Sequence, residues 1–163
     1  MKFDIQNMLN PDVYDHPVSK LEMIETHISW VVLTGDYAYK IKNPVNFGFL
    51  DFSTLDKRKE YCQQELNLNR RLAPDIYLDV VAISGSVQKP EISSGYEAFE
   101  YAVKMWQFPQ SAQLDNMLNA GALEAEHIDA IARMVAKFHQ STAVATDTTD
   151  YGSNQSIFQP VKE

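Results

Sequence analysis

Thr34-Gly35-Asp36-Tyr37-Ala38-Tyr39-Lys40-Ile41-Lys42 decides how this chain is read. Thr34-Gly35-Asp36 has turn chemistry, with a glycine available for positive φ, and Tyr37 to Lys42 then alternates with period two. Tyr37, Tyr39 and Ile41 fall on one face of a strand, leaving Ala38, Lys40 and Lys42 on the other. Asn43-Pro44 ends that strand, because proline cannot donate to a ladder and holds its predecessor extended.

Two shorter strand-like runs precede it, Leu21 to Ile24 and Trp30 to Leu33, around the polar interruption Glu25-Thr26-His27-Ile28-Ser29. Before them, Lys2 to Asn10 reads as a short helix stopped by Pro11. With the turn-rich stretch that follows, it makes residues 1–20 a cover segment.

Downstream, Ser53 is the expected helix N-cap, with Asp56 acidic in the first turn, and the run to Leu72 is free of Gly and Pro. That run predicts a helix about 28 Å long at 1.5 Å per residue, stopped by Ala73-Pro74. Tyr77 to Ile83 and Tyr96 to Phe108 read as two further strands, separated by a turn at Ser84-Gly85-Ser86 and a loose polar segment to Gly95. Gln110 to Leu118 predicts a short helix broken by Gly121. Glu124 to Gln140 carries Ile128, Ile131, Val135 and Phe138 at helical spacing and predicts an amphipathic helix. Ser141 to Gln159 is rich in Ser, Thr, Asp, Asn and Gln, and little regular structure is expected there. Strands flanking one long helix, with no crossover helix among the first three, point to an antiparallel α+β lobe of five strands.

At 163 residues, 45% hydrophobic and 22% charged, the chain is long enough for a globular core. Its 14 Lys+Arg against 22 Asp+Glu give a formal net charge of -8, which argues against nucleic acid as a partner. One cysteine, Cys62, cannot form an internal disulfide, and the first residues lack the apolar core of a secretion signal, so the cytoplasm is the expected compartment. The longest purely apolar run, Trp30 to Leu33, is far short of the ~18 residues that would span a bilayer, so no membrane partner is expected. Asn154-Gln155-Ser156 matches a glycosylation sequon and reads as chance in that setting.

The chemistry-bearing residues are Lys40 on the third strand and Glu65 in the long helix. In kinases a third-strand lysine holds the α- and β-phosphates of ATP and is oriented by a glutamate from the next helix. A cation grips phosphate without consuming a proton, and a carboxylate keeps a flexible lysine from wandering. Ala38 shares the face of Lys40, so its methyl group can lie against an adenine. Glu65 shares a helix stripe with Cys62, Asn69 and Leu72, a partly apolar setting in which a carboxylate needs a partner. Read alone, the same residues also fit an exposed strand edge and a solvated helix.

Glu25 to Trp30, Thr34 to Lys42, Gly48-Phe49-Leu50-Asp51-Phe52-Ser53 and Asn69-Arg70-Arg71-Leu72-Ala73-Pro74 together resemble segments of the aminoglycoside phosphotransferase-like kinases. The resemblance implies the N-terminal lobe of a protein-kinase-like fold over 21–108, followed in 109–163 by a hinge and the first helices of a helical lobe. It implies ATP with magnesium as cofactor and a small-molecule hydroxyl as acceptor. It makes Lys40 the phosphate-binding lysine, Glu65 its partner and Ala38 the adenine-facing residue. Glu25 to Ser29 stands where a loop over the phosphates would lie; it contains no glycine, leaving Thr26, Ser29 and backbone amides to serve. Trp106-Gln107-Phe108 looks like the connection to the hinge, with Gln107 and Phe108 beside the adenine edge.

The catalytic aspartate, the asparagine after it and the magnesium aspartate of such kinases are not found in order. His127-Ile128-Asp129 mimics the start of a catalytic loop but has Met134 where the asparagine belongs. Asp51-Phe52-Ser53 mimics the magnesium motif but precedes the long helix. In kin of this family the catalytic loop follows a segment like Tyr151-Gly152-Ser153, so the chain is expected to be truncated before it and inactive alone. The exposed helical face that results makes self-association, or service as a non-catalytic interaction module, the competing expectation.

Overall fold

A computed structural model describes residues 3–92, 97–146 and 152–162 of the chain, with side chains through 159. The chain divides into two compact units, Met1–Gln107 and Phe108–Glu163. The division falls one residue before the boundary expected after Phe108.

The first unit is a six-stranded sheet in the order β1-β2-β3-β6-β4-β5. Its strands are β1 (Glu22–Glu25), β2 (Ser29–Leu33), β3 (Tyr37–Lys42), β4 (Tyr77–Gly85), β5 (Pro90–Ile92) and β6 (Glu100–Trp106), and every neighbouring pair is antiparallel. β3 therefore lies inside the sheet, with Val31 on one side of Lys40 and Val103 on the other. The expected count of five strands is corrected to six. β5 was hidden because it is three residues long and opens with Pro90, a residue tolerated at the first position of an edge strand. It pairs with the end of β4 through Ile83↔Ile92 and Gly85↔Pro90. The segment to Gly95 and the expected strand start at Tyr96 lie outside the described residues from 93 onward.

The alternation of β3 sorts its two faces as its sequence requires. Tyr39 and Ile41 are fully buried with Val32, Ala102 and Ile83 in a core that also takes Met8, Val13 and Tyr14 from the N-terminal segment. Met8, Val13, Val32, Ile41 and Ile83 each contribute about 1.5–3 kcal/mol on burial. The N-terminal segment thus completes the core over one sheet face. It does so as two 3-10 turns, Ile5–Leu9 and Pro11–Val13, in place of one short helix, because Asp4 and Asn10 each cap a new turn and Pro11 starts the second. Tyr14 Oη donates to the Met8 carbonyl at 2.8 Å, and His16 Nε2 meets Tyr39 Oη at 3.0 Å.

On this unit the long helix α1 (Leu55–Asn69) packs against β6 and β4. Its N-cap is Thr54, whose hydroxyl accepts from Lys57 N at 3.3 Å, and not the expected Ser53. Ser53 is held one step earlier, its N–H donating to Asp51 Oδ1 at 2.9 Å. The helix also ends at Asn69 instead of Leu72, where Leu72 N and Ala73 N both turn back to the Asn69 carbonyl at 3.1 and 2.8 Å. Arg70 reaches forward from that end, donating to the carbonyls of Tyr77 and Leu78.

In the second unit, a 3-10 turn (Gln110–Ala112) leads into α2 (Leu114–Asn119), and α3 spans Ala125–Ser141. Asn154–Lys162 forms α4, which starts within the stretch Ser141 to Gln159 expected to lack regular structure and runs past its end. The polar composition misled there because Ser153 Oγ accepts from Ser156 N at 3.1 Å, an ordinary helix start. Among the described residues no helix is long and apolar enough to cross a membrane.

Candidate functional site

Two residues apart on β3, Lys40 and Lys42 stand on one face about 6.6 Å from each other along the strand, and α1 lays Glu65 between them. Lys40 Nζ donates to Glu65 Oε1 at 2.8 Å, while Lys42 Nζ donates to Glu65 Oε2. The side chain of Lys40 is 28% exposed, that of Lys42 only 7% and that of Glu65 10%. The Lys42 ammonium also lies 5.2 Å from the ring centroid of Phe52, itself buried. Helical spacing sets Cys62 one turn before Glu65, fully buried, and Asn69 one turn after it, with Asn69 Nδ2 donating to the Glu65 carbonyl at 2.9 Å.

Electrostatics follow from this packing. Burial pushes the Glu65 carboxyl up, but hydrogen bonds from Lys40 and Lys42 and their charges outweigh it and hold the group below its ordinary value. Burial raises the Cys62 thiol to about 12, so it is an inert core group and no nucleophile. Tyr77, on β4, is raised chiefly by burial and secondly by the charge of Glu65. One carboxylate faces two ammoniums, leaving a net positive charge whose more open member is Lys40.

The other residues singled out by the sequence are placed as follows. Ala38 is 6% exposed, between Leu33 and Met105 in the sheet, and keeps the face of Lys40 low at that point. Thr26 and Ser29 close the turn between β1 and β2 on each other. Thr26 Oγ1 accepts from Ser29 N at 3.0 Å and lies 2.9 Å from the Ser29 carbonyl and 3.0 Å from its hydroxyl. Ser29 is buried and shapes the loop from within, whereas Thr26 is exposed. Glu25, Thr26, His27 and Asn43 line an open hollow of about 730 Å³ at the C-terminal end of β3. Gln107 closes the β2–β3 turn: its N–H donates to the Asp36 carbonyl at 2.9 Å and its Oε1 accepts from Gly35 N at 3.0 Å. Phe108 begins the second unit and is 42% exposed.

Sequence reasoning missed Lys42 as a member of the site and missed the buried pair Arg58–Glu100. Arg58 Nε lies 2.9 Å from both Glu100 oxygens, and Nη1 donates to the Phe52 carbonyl at 3.0 Å. The signal for Lys42 was its shared parity with Lys40; no local signal marks Arg58, whose partner comes from β6.

The two mimic motifs have structural duties. Asp51 pairs with Lys57 at 2.5 Å and accepts from Ser53 N, and these bonds lower its carboxyl to about 2. His127 Nδ1 accepts from Glu124 N at 3.0 Å in the capping box that starts α3. Tyr151 lies outside the described residues. Among the described residues no three His, Cys, Asp or Glu side chains gather as a metal-ligand cluster.

With this geometry in place, comparison with known proteins gives relatives of uncharacterized function. The chain is 38% identical over 128 residues to an uncharacterized protein of Mycobacterium tuberculosis and to one of Mycobacterium bovis. The match covers 77% of this chain and 24% of each relative, so the chain spans about a quarter of their length. No family model matches, and no solved structure does.

Proposed function

We propose that this chain is the ATP-gripping part of a small-molecule phosphotransferase with a protein-kinase-like N-terminal lobe, akin to the aminoglycoside phosphotransferases. The supporting observation is the contact of Lys40 with Glu65 at 2.8 Å, made from an interior strand to the helix that follows it, with Ala38 two residues earlier on the same face. That arrangement suits a polyphosphate: it offers a positioned cation that is over a quarter exposed. Lys40 would hold the phosphates, Glu65 would orient it, and magnesium would arrive with the nucleotide. Thr26 and Ser29 contribute by fixing the turn that carries the amide groups above them. Gln107 contributes by fixing the start of the connection to Phe108. Transfer to a hydroxyl acceptor requires an aspartate and an asparagine besides the residues named here, whose part in the reaction is to hold the nucleotide.

A second reading, a non-catalytic interaction module, draws on α3, where Ile128, Met134 and Val135 are 51%, 44% and 36% exposed. The two readings separate in one pair of measurements. Thermal denaturation of the 163-residue chain with and without MgATP should show a nucleotide-dependent rise that Lys40→Met abolishes. A missing rise together with concentration-dependent association in sizing chromatography would favour the module instead.

A further inference from the structure

The end of the sheet where β3 leaves and β6 begins holds a recess of about 240 Å³ that is not lined by Lys40, Glu65 or Ala38. We propose that this recess is a separate binding site for a small, flat, uncharged molecule that joins an aromatic ring to an amide group, with Arg58 and Glu100 reading the amide. The site does not depend on nucleotide binding.

The walls are largely aromatic. Phe3 of the N-terminal segment and Phe99 lie with ring centroids 5.2 Å apart, and Trp30 of β2 and Pro44 line the recess with them. Trp30 Nε1 donates to Glu25 Oε1 at 3.2 Å, so the polar atom of the indole is already engaged. A cavity of about 150 Å³ takes a benzene ring, so this one has room for a ring with a small substituent. The polar part of the lining is the ion pair of Arg58 and Glu100, whose side chains are 10% and 6% exposed. Arg58 Nε binds both Glu100 oxygens and Nη1 binds the Phe52 carbonyl, but Nη2 has no acceptor. Every sealed side-chain nitrogen and oxygen among the described residues has a partner, so Nη2 is open to what enters from outside. Glu100 Oε1 also accepts from Tyr101 N, whereas Oε2 accepts from Arg58 Nε alone. The pair therefore keeps one donor and one acceptor free, the complement of the carbonyl oxygen and N–H of a primary amide. Charge points the same way. Arg58 and Glu100 cancel, so an entering ion would lose its water without gaining a counter-charge. Asp4, which lines an adjoining hollow with Phe3, Trp30 and Pro44, weighs further against an anion.

Benzamide titrated into the 15N-labelled 163-residue chain, followed by NMR, tests the assignment. The indole N–H resonance of Trp30 should move saturably while that of Trp106, at the far end of β6, stays in place. Benzoate and benzylamine, which carry a charge, should bind about tenfold more weakly. Arg58→Lys keeps a cation facing Glu100 but removes the fork that carries Nη2, and should weaken benzamide about tenfold. Should that variant not fold, NOEs from the benzamide ring to Phe3 and Phe99 in the wild-type chain carry the test, and their presence together with the preference for the uncharged amide supports the site. The proposal is overturned by the lack of a saturable Trp30 shift up to about 10 mM benzamide, by NOEs to other residues only, or by benzoate binding as tightly as benzamide.

Discussion

The ammonium of Lys40 meets the carboxylate of Glu65 at 2.8 Å although the two residues are 25 positions apart. One comes from the middle of a sheet and the other from the helix crossing it, so the contact exists only in the folded unit. It links three levels of the account: the period of β3 aims the lysine, the pitch of α1 aims the glutamate, and their meeting produces a buried carboxylate under an accessible cation.

Removing the carboxylate should hurt stability more than removing the accessible lysine. Glu65→Gln strands a buried ammonium at Lys42 and is expected to cost about 3 kcal/mol. Lys40→Met leaves Glu65 paired with Lys42 and should cost about 1 kcal/mol or less. Urea denaturation of both variants checks the order; a costlier Lys40→Met would contradict it.

Arg58 and Glu100 form a second buried pair among the described residues of the first unit, 10% and 6% exposed. Arg58→Met should cost about 3–5 kcal/mol, because it leaves a carboxylate under cover without its cation. A loss below about 1 kcal/mol in urea denaturation would mean that water reaches Glu100.

Acid should act on the two carboxylates in opposite directions. Glu65 is held below its ordinary value, so its contribution is present above the unfolded pKa and lost as pH falls through the folded one. Glu100 is raised, mainly by burial against the opposing pull of Arg58, so its contribution is present below the unfolded pKa and lost as pH rises through the folded one. Between about pH 7 and pH 3, which brackets the ordinary glutamate value, the advantage of wild type over Glu65→Gln should shrink on acidification. The corresponding difference for Glu100→Gln should shift the other way. Denaturation curves at several pH values read both.

The start of α1 gives a local test. Thr54→Ala removes the hydroxyl that accepts from Lys57 N and should cost about 1 kcal/mol. Ser53→Ala should stay within about 0.5 kcal/mol, as for other surface changes. Equal losses in thermal melts would return the cap to Ser53.

The sequence made β3, α1 and α3 legible because each carries a strong period or clear stops: alternation from Tyr37 to Lys42, a run without Gly or Pro, and apolar spacing from Ile128 to Phe138. It did not reveal β5, since three residues led by Pro90 hold no period, nor α4, whose polar residues look like a loop until Ser153 turns inward to cap it. The cap slipped from Ser53 to Thr54 because Asp51 captures the Ser53 amide, a competition between adjacent residues that composition cannot rank. At the site, the Lys40–Glu65 pairing was foreseeable from topology. The burial of Lys42 was not, because it depends on Phe52 folding back over the end of β3.

An acyl-phosphate derivative of ATP, which transfers its acyl group to a lysine lying beside the bound phosphates, tests the nucleotide reading most directly. After brief labelling of the 163-residue chain and peptide mass spectrometry, the modification should fall on Lys40, spare Lys42, and disappear when excess MgATP is present. Labelling scattered over exposed lysines such as Lys20 and Lys57, with Lys40 unmodified or unprotected by MgATP, would contradict the account.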